Sequence, residues 1–410
     1  MILKIALNFL FLRYHINMME QKQIKLFEIF AGIGSQHQAL KNIAKTQNWK
    51  IKPVGIVEWF RDAIIAYQAI HHPITNPQPR ILTCAKTHIH TFSNNSKHPL
   101  STAAYQKQIS TPNIINDYYQ HSCQIANNYF DINRLDYLPD QIDILTYSFP
   151  CQDISHQGKQ QGFAKNSQTR SALLWQIDRV LKATKDQGLT LPKYLLLENV
   201  KAITNQKNYP TLLKWLKQLQ TYGYTSQVYH LNAANFGSCQ NRQRVFVISV
   251  LKTHQIQTGF QFPDLEAIKV ATPSALKTII DVNDQINLAP KFKNYPMINK
   301  PVTKLNIKKT YLQNYTNFSS EAHIYDINYS GPTLTASGAM SRIKLYNGDP
   351  NCPQIRYLNP LEAFRYMGFS DQAYHQVANT NLISATKMLY LAGNAISVQV
   401  LEAIFKSFKF

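Results

Sequence analysis

Paired cysteines are what this sequence most plainly lacks. Its five cysteines, at positions 84, 123, 151, 239 and 352, are odd in number and none forms a CxxC pair. That pattern argues against a disulfide framework and a zinc site, so no metal is expected, and it fits a reducing cytoplasm. Acidic residues are also scarce. Only 23 Asp and Glu face 43 Lys and Arg, for a net charge of +20. Such an excess of one sign points to a polyanionic partner, nucleic acid first. The apolar stretch from Met1 to Arg13 is too short to span a bilayer, and no small-residue cleavage site follows it. Residues 1–22 are therefore read as an extension outside the fold, and no membrane is expected. The glycine fingerprint GxGxxG is absent as well, which disfavours a pyrophosphate-binding dinucleotide site.

What is present is a long alternation of strand and helix signals between residue 25 and about 250. Strands are expected at Lys25–Phe30, Val54–Trp59, Ile142–Tyr147, Tyr194–Leu197, Tyr224–Leu231 and Val245–Val250. Helical spacing joins Ala39, Leu40, Ile43 and Ala44, then the run Ala63–Ile70, then Leu212, Leu213, Leu216 and Leu219. This alternation implies an α/β fold with a mainly parallel, helix-covered sheet. With 410 residues, two or three domains are expected. Residues 85–113, rich in Ser, Thr, Asn, His and Lys, read as a surface insertion. After Leu251 the alternation fails and a smaller, irregular domain begins. The apolar helical run Leu389–Phe405 is expected to return to the first domain. The division is 23–251 plus 385–410 for the first domain and 252–384 for the second with its hinge.

The candidate chemistry gathers at strand ends, where ligands bind in open α/β sheets. Cys151 follows the apolar run Ile142–Tyr147 and the strand-stopping Pro150. A cysteine that only filled a core would sit inside the strand. Phe30-Ala31-Gly32-Ile33-Gly34 is a strand, a glycine turn and a helix start, open to close approach by a ligand. Glu58, at the next strand end, can accept both hydroxyls of a ribose, and Trp59 can cover an adenine face. Asp131 can accept from an exocyclic amine. A solvated loop acid is the plainer alternative for Glu58 alone. Glu198 ends another buried strand, where a carboxyl tends to stay protonated and can donate a proton. Arg242 and Arg244 stand two apart, so on an extended chain they face the same way.

These stretches resemble, in this order, the DNA (cytosine-5)-methyltransferase family. The matching motifs are Phe30 to Gly34, Pro150-Cys151-Gln152, Glu198-Asn199-Val200, Gln240 to Arg244, Tyr357 to Phe369, and Gly393-Asn394. The resemblance implies a Rossmann-like domain that uses S-adenosyl-L-methionine, with a smaller target-recognition domain. It implies Cys151 as the nucleophile on cytosine C6, Glu198 as the partner of N3, Arg244 on O2, and Arg242 beside it. It implies a cofactor site of Phe30, Ala31, Gly32, Ile33, Gly34, Glu58, Trp59, Asp131, Ile132, Pro150 and Asn394. The polar loop 152–168, with Gly158 and Gly162 as flexible points, resembles the family's mobile catalytic loop. Gln157 then enters the gap left by a flipped base, with Gln152, Ser155 and Gln240 on the DNA.

The segment Gly331–Lys344 combines hydroxyls and bases suited to phosphate and base-edge contacts, from Thr333, Thr335, Ser337 and Arg342. It looks like the prokaryotic enzymes that methylate CG sites, although Met340 stands where a polar residue is expected. The partner implied is double-stranded DNA, the sequence leaves open whether a cognate restriction endonuclease acts on the same site, and the chain is expected to be a monomer. The same chemistry on tRNA, or a catalytically dead DNA-binding protein, are the rival readings.

Overall fold

Strand β1, Lys22–Ile29, carries apolar residues on both faces. Ile24 and Leu26 enter one core, Phe27 and Ile29 another. A strand buried on both sides belongs inside a helix-covered sheet. The computed structural model describes residues 21–74, 93, 100–101, 103–104, 107, 114–151, 153–154, 162–164, 169–270, 272–281, 284, 290–292 and 294–410. Residues 1–20, most of the expected insertion 85–113, and the loop positions Gln152, Ser155, Gln157 and Gly158 lie outside the described residues.

β1 pairs in parallel with β2 (Trp49–Val57) and with β3 (Ile144–Tyr147), and β4 (Tyr194–Val200) extends the parallel set. β5 (Tyr224–Asn232) and β6 (Gln243–Leu251) complete a sheet of order β2-β1-β3-β4-β6-β5. β6 runs antiparallel to both neighbours. The start of β6 therefore lies at the edge where β1 to β4 end. Lys22, expected in the N-terminal extension, is the first residue of β1.

Helices α1 (Ser35–Gln47) and α2 (Arg61–His71) cover one face of the sheet. α3 (Ile114–Ile125) packs against α2. α4 (Leu174–Asp186) and α5 (Tyr209–Thr221) cover the other face, and α6 (Lys252–Thr258) follows β6. On α5 the buried stripe is Leu212, Trp215 and Leu219, while Leu213, expected in that stripe, is 40% exposed.

A second sheet of order β11-β10-β9-β8-β7 occupies the expected irregular region. Its strands, β7 (Met297–Asn299), β8 (Lys309–Leu312), β9 (His323–Asp326), β10 (Lys344–Tyr346) and β11 (Ile355–Tyr357), are three or four residues long. Phe292, Leu312, Ile324, Tyr346 and Ile355 form its small core.

The chain then returns through α7 (Pro360–Met367), α8 (Asp371–Ala378), α9 (Ala385–Asn394) and α10 (Val398–Phe405). Phe364, Met367 and Val377 share the core of Ile24 and Leu26, so that core is continuous across residue 384. The expected single helix Leu389–Phe405 is two helices, broken at 395–397. By length and hydropathy Ala385–Phe405 could cross a membrane, but 67% of its most apolar window is buried. A place in the core accounts for that composition.

Candidate active site

The turn after β3 presents Cys151, a free and half-buried cysteine. The turn is held from several sides. Cys151 O accepts from Ile154 N at 3.0 Å. Ser171 Oγ donates to Pro150 O at 2.6 Å, and Ser171 N donates to Asp153 Oδ2 at 3.1 Å. Asn199 Nδ2 donates to Phe149 O at 3.1 Å, tying the turn to the end of β4. Ser171 drew no notice in the sequence, because a serine some twenty residues downstream carries no local signal.

Glu198 is buried on β4, and Arg244 Nε lies 3.2 Å from its Oε1. The antiparallel register sets this pair: Val200 stands opposite Arg244 and Glu198 opposite Phe246. Burial pushes the Glu198 carboxyl up, while Arg244 and Arg242 pull it down. Burial and then the charge of Glu198 raise the Cys151 thiol, against Arg244 and Arg242. A thiol, a carboxyl able to hold a proton and a guanidinium thus meet at one edge of the sheet.

Arg242 shares that electrostatic environment, but its guanidinium is engaged elsewhere. It donates to Leu334 O at 2.7 Å, to Ala395 O at 2.8 Å and to Gly393 O at 3.2 Å. The expectation that Arg242 faces substrate beside Arg244 is corrected: it joins three chain segments. Gln240 is corrected likewise. It is fully buried, its Nε2 donates to Tyr366 O at 3.1 Å, and its Oε1 accepts from Leu334 N at 3.0 Å. No polar atom of its side chain is left for DNA. Thr333 Oγ1 donates to Asn241 O at 2.6 Å, and Thr335 Oγ1 donates to Ser337 O at 2.8 Å. Ser337 is exposed, and Arg342 pairs with Glu321.

The glycine turn opens on Phe30, which takes φ 60 and is half-buried. Phe30 N and Ala31 N both donate to Val57 O, at 2.8 and 3.2 Å. Gly32 follows at φ 56, and a Cβ there would meet nothing within 4 Å. At Gly34, with φ 76, a Cβ would lie 2.3 Å from His71 Nε2, so only glycine fits. Glu58 Oε2 accepts from Gly32 N at 2.9 Å and Oε1 from Phe60 N at 2.8 Å. Asn128 Oδ1 accepts from Glu58 N and Phe130 N, and its Nδ2 donates to Glu58 O at 3.0 Å. Asn128 thereby sets both Glu58 and the stretch leading to Asp131 and Ile132. It too was missed, since the pair Asn127-Asn128 reads as turn residues.

The remaining expected residues converge on the same edge. Asp131 caps a short helical turn through Asn133 N at 3.0 Å, beside buried Ile132. Ile396 N donates to Ser35 Oγ at 3.2 Å, which brings exposed Asn394 near the start of α1. A Cβ at Gly32 would meet nothing within 4 Å, and Phe30 and Trp59 are half-exposed.

Comparison with known proteins follows the same lines. A family model described as C-5 cytosine-specific DNA methylase matches residues 102–409. The orphan methyltransferase M.SssI of Spiroplasma monobiae is 40% identical over 391 residues, which are 93% of this chain and 96% of that one. The type II methyltransferase M2.ScrFI of Lactococcus lactis subsp. cremoris is 32% identical over 394 residues, covering 93% of this chain and 98% of that protein. The crystal structure of S. pombe Dnmt2 methyltransferase superposes with a TM-score of 0.54 at 16% identity, over 94% of this chain and 97% of its own, a likeness of fold. Thiol turn, acid–guanidinium pair, glycine cradle and family match agree, and the chain belongs to the C-5 cytosine-specific DNA methylases, enzymes that transfer a methyl group to carbon 5 of cytosine in DNA.

Proposed function

We propose that the methyl donor is S-adenosyl-L-methionine, that Cys151 is the nucleophile, and that the target is cytosine in CG sites of double-stranded DNA. The observation that carries this reading is the buried Glu198–Arg244 pair at the sheet edge where the Cys151 turn is tied to the end of β4 through Asn199. Cys151 as thiolate adds to C6, which makes C5 enamine-like. Glu198 in its protonated form meets N3, where the displaced electron density collects. Arg244 holds the carbonyl oxygen O2 and keeps Glu198 oriented. When bound, the donor would supply an electrophilic methyl on sulfonium to C5 and be left as a neutral thioether; loss of the C5 proton, to water, would then let Cys151 leave as thiolate. Phe30 to Gly34, Glu58, Trp59, Asp131, Ile132, Pro150 and Asn394 would hold the donor. The target base must leave the duplex, at a cost of about a few kcal/mol. Gln157, in the loop after Cys151, is the residue proposed to fill the gap.

Three experiments test this. Cys151→Ser should abolish methyl transfer while S-adenosylmethionine binding stays within about twofold, because the thiol meets the base. The native enzyme should be trapped covalently on DNA containing 5-fluorocytosine, and a missing adduct at Cys151 would overturn the mechanism. Bisulfite sequencing of random DNA after incubation should show conversion-resistant cytosines only before G. Methylation confined to a longer site would refute the CG assignment and leave the chemistry standing. We take the segment 331–344 as the reading element and the chain as a monomer, which sedimentation checks. A cognate endonuclease finds support in the relative named type II and none in M.SssI, whose name describes it as an orphan.

A further inference from the structure

Period-two alternation along β1 gives Ile24 and Leu26 to the core shared with α1 and α2. The next residue on that face is Glu28, which is 0% exposed. An acid at a core position needs partners, and it has two. Its Oε1 accepts from His37 N at 3.2 Å and its Oε2 from Tyr67 O–H at 2.7 Å. His37 is the third residue of α1, whose N-cap is Gly34 and whose first turn holds no acid. Glu28 therefore supplies from the strand the carboxylate that glycine cannot supply at the helix start.

The chain of contacts continues to the cradle itself. Tyr67 OH lies 3.2 Å from His37 Nδ1, the His37 ring stacks on His71 at 4.3 Å, and His71 Nε2 donates to Ile33 O at 3.1 Å. Glu28, two residues before Phe30, thus reaches the Ile33 end of the turn and the first turn of α1 through the buried side chains of Tyr67, His37 and His71. Lys41 on α1, His72 at the end of α2 and His121 on α3 are the other titratable groups facing the cluster.

We propose that Glu28 is a positioning residue for the methyl donor, its ionised form ordering the turn 30–34 through His37 and Tyr67 and its protonated form releasing it. Ionised, the carboxylate accepts from both donors and its charge favours a cationic sulfonium ligand nearby. Protonated, it keeps one acceptor oxygen at full strength and loses that attraction. Burial places the switch near neutrality, since it raises the carboxyl from 4.5 to about 7, against the two hydrogen bonds. The proposal rests on the reading of this turn as the donor cradle.

The test has a ligand-free arm and a binding arm. In the free protein, amide exchange protection of His37, corrected for intrinsic rates, should rise severalfold from pH 6 to pH 8. It should stay flat in Glu28→Gln. The affinity for S-adenosylmethionine, by calorimetry, should weaken by up to about tenfold from pH 8 to pH 6 in the native protein. Glu28→Gln should lose that contribution; what pH dependence remains is the ligand's own titration, which is common to both proteins and cancels in their comparison. Tyr67→Phe, close in shape, should move the midpoint to higher pH by deleting one bond to the charged form. Superimposable profiles in native protein and variants would overturn the proposal. Failure of the ligand to bind at any pH, with His37 still responding through Glu28, would instead overturn the donor reading.

Discussion

The Cys151 thiol stands above its ordinary pKa because it is buried and faces Glu198, with Arg244 and Arg242 acting against both. Only the thiolate attacks, so reactivity must grow as pH rises. Alkylation of Cys151 by iodoacetamide should therefore be slow at neutral pH and speed up in the alkaline range. Glu198→Gln removes a negative neighbour and should move that profile to lower pH, while Arg244→Ala should move it higher. Profiles unmoved by either substitution would show that the pair does not face the thiol. Arg244→Ala should also lower methyl transfer by roughly a hundredfold, the scale for losing one donor to a reacting oxygen. Cys151, Glu198 and Arg244 were legible in the sequence because each sits at a strand end with a distinctive neighbourhood. Gln240 and Arg242 were not, because a motif shows which residues cluster but not which way each points. Their partners, Leu334, Tyr366 and Gly393, lie far along the chain and leave no mark near residue 240.

Among elements, β6 has the largest effect on the site. Its reversal brings the residues that precede it to the edge where the other strands end. From there Arg242 reaches the segment at Leu334 and the α9–α10 corner at Gly393 and Ala395. At Gly393 a Cβ would lie 2.5 Å from Thr335 O, so the corner and the segment 331–344 are in close contact. Arg242→Ala should cost about 3 kcal/mol, since buried carbonyls lose a charged donor. Denaturant midpoints would measure that cost. Discrimination between CG and other cytosines should weaken too, and an unchanged preference would separate the segment from target reading. The long strands and helices were readable from their periodicity. The second sheet was not, because strands of three or four residues give too few alternations to distinguish from loop. The break between α9 and α10 was hidden for a related reason: Ala395 and Ile396 continue the apolar run while ending the helix.

On the scale of the whole molecule, charge sets how the protein meets its substrate. A net charge of +20 should make binding to duplex DNA fall steeply with salt. The loss expected is roughly ten- to a thousandfold between low and physiological salt, through counterion release at several phosphates. Fluorescence anisotropy over a salt series would show it, and a flat response would argue against phosphate contacts. The α/β class and the return of the C-terminus were legible from alternation and the last apolar run. The position of residues 358–384 was not, since their place in the main core depends on the packing of α8 on α2 far upstream. That same core bears on synthesis. Ile24 and Leu26 belong to β1, yet α10, several hundred residues further along the chain, packs on α1 beside them. During translation the first strand and helix emerge with one flank bare and must wait for the other end of the chain. Contacts so distant in sequence form slowly. A ribosome stalled before residue 385 would therefore hold a chain with one flank of that core bare, and no methylating activity would arise until α9 and α10 had followed.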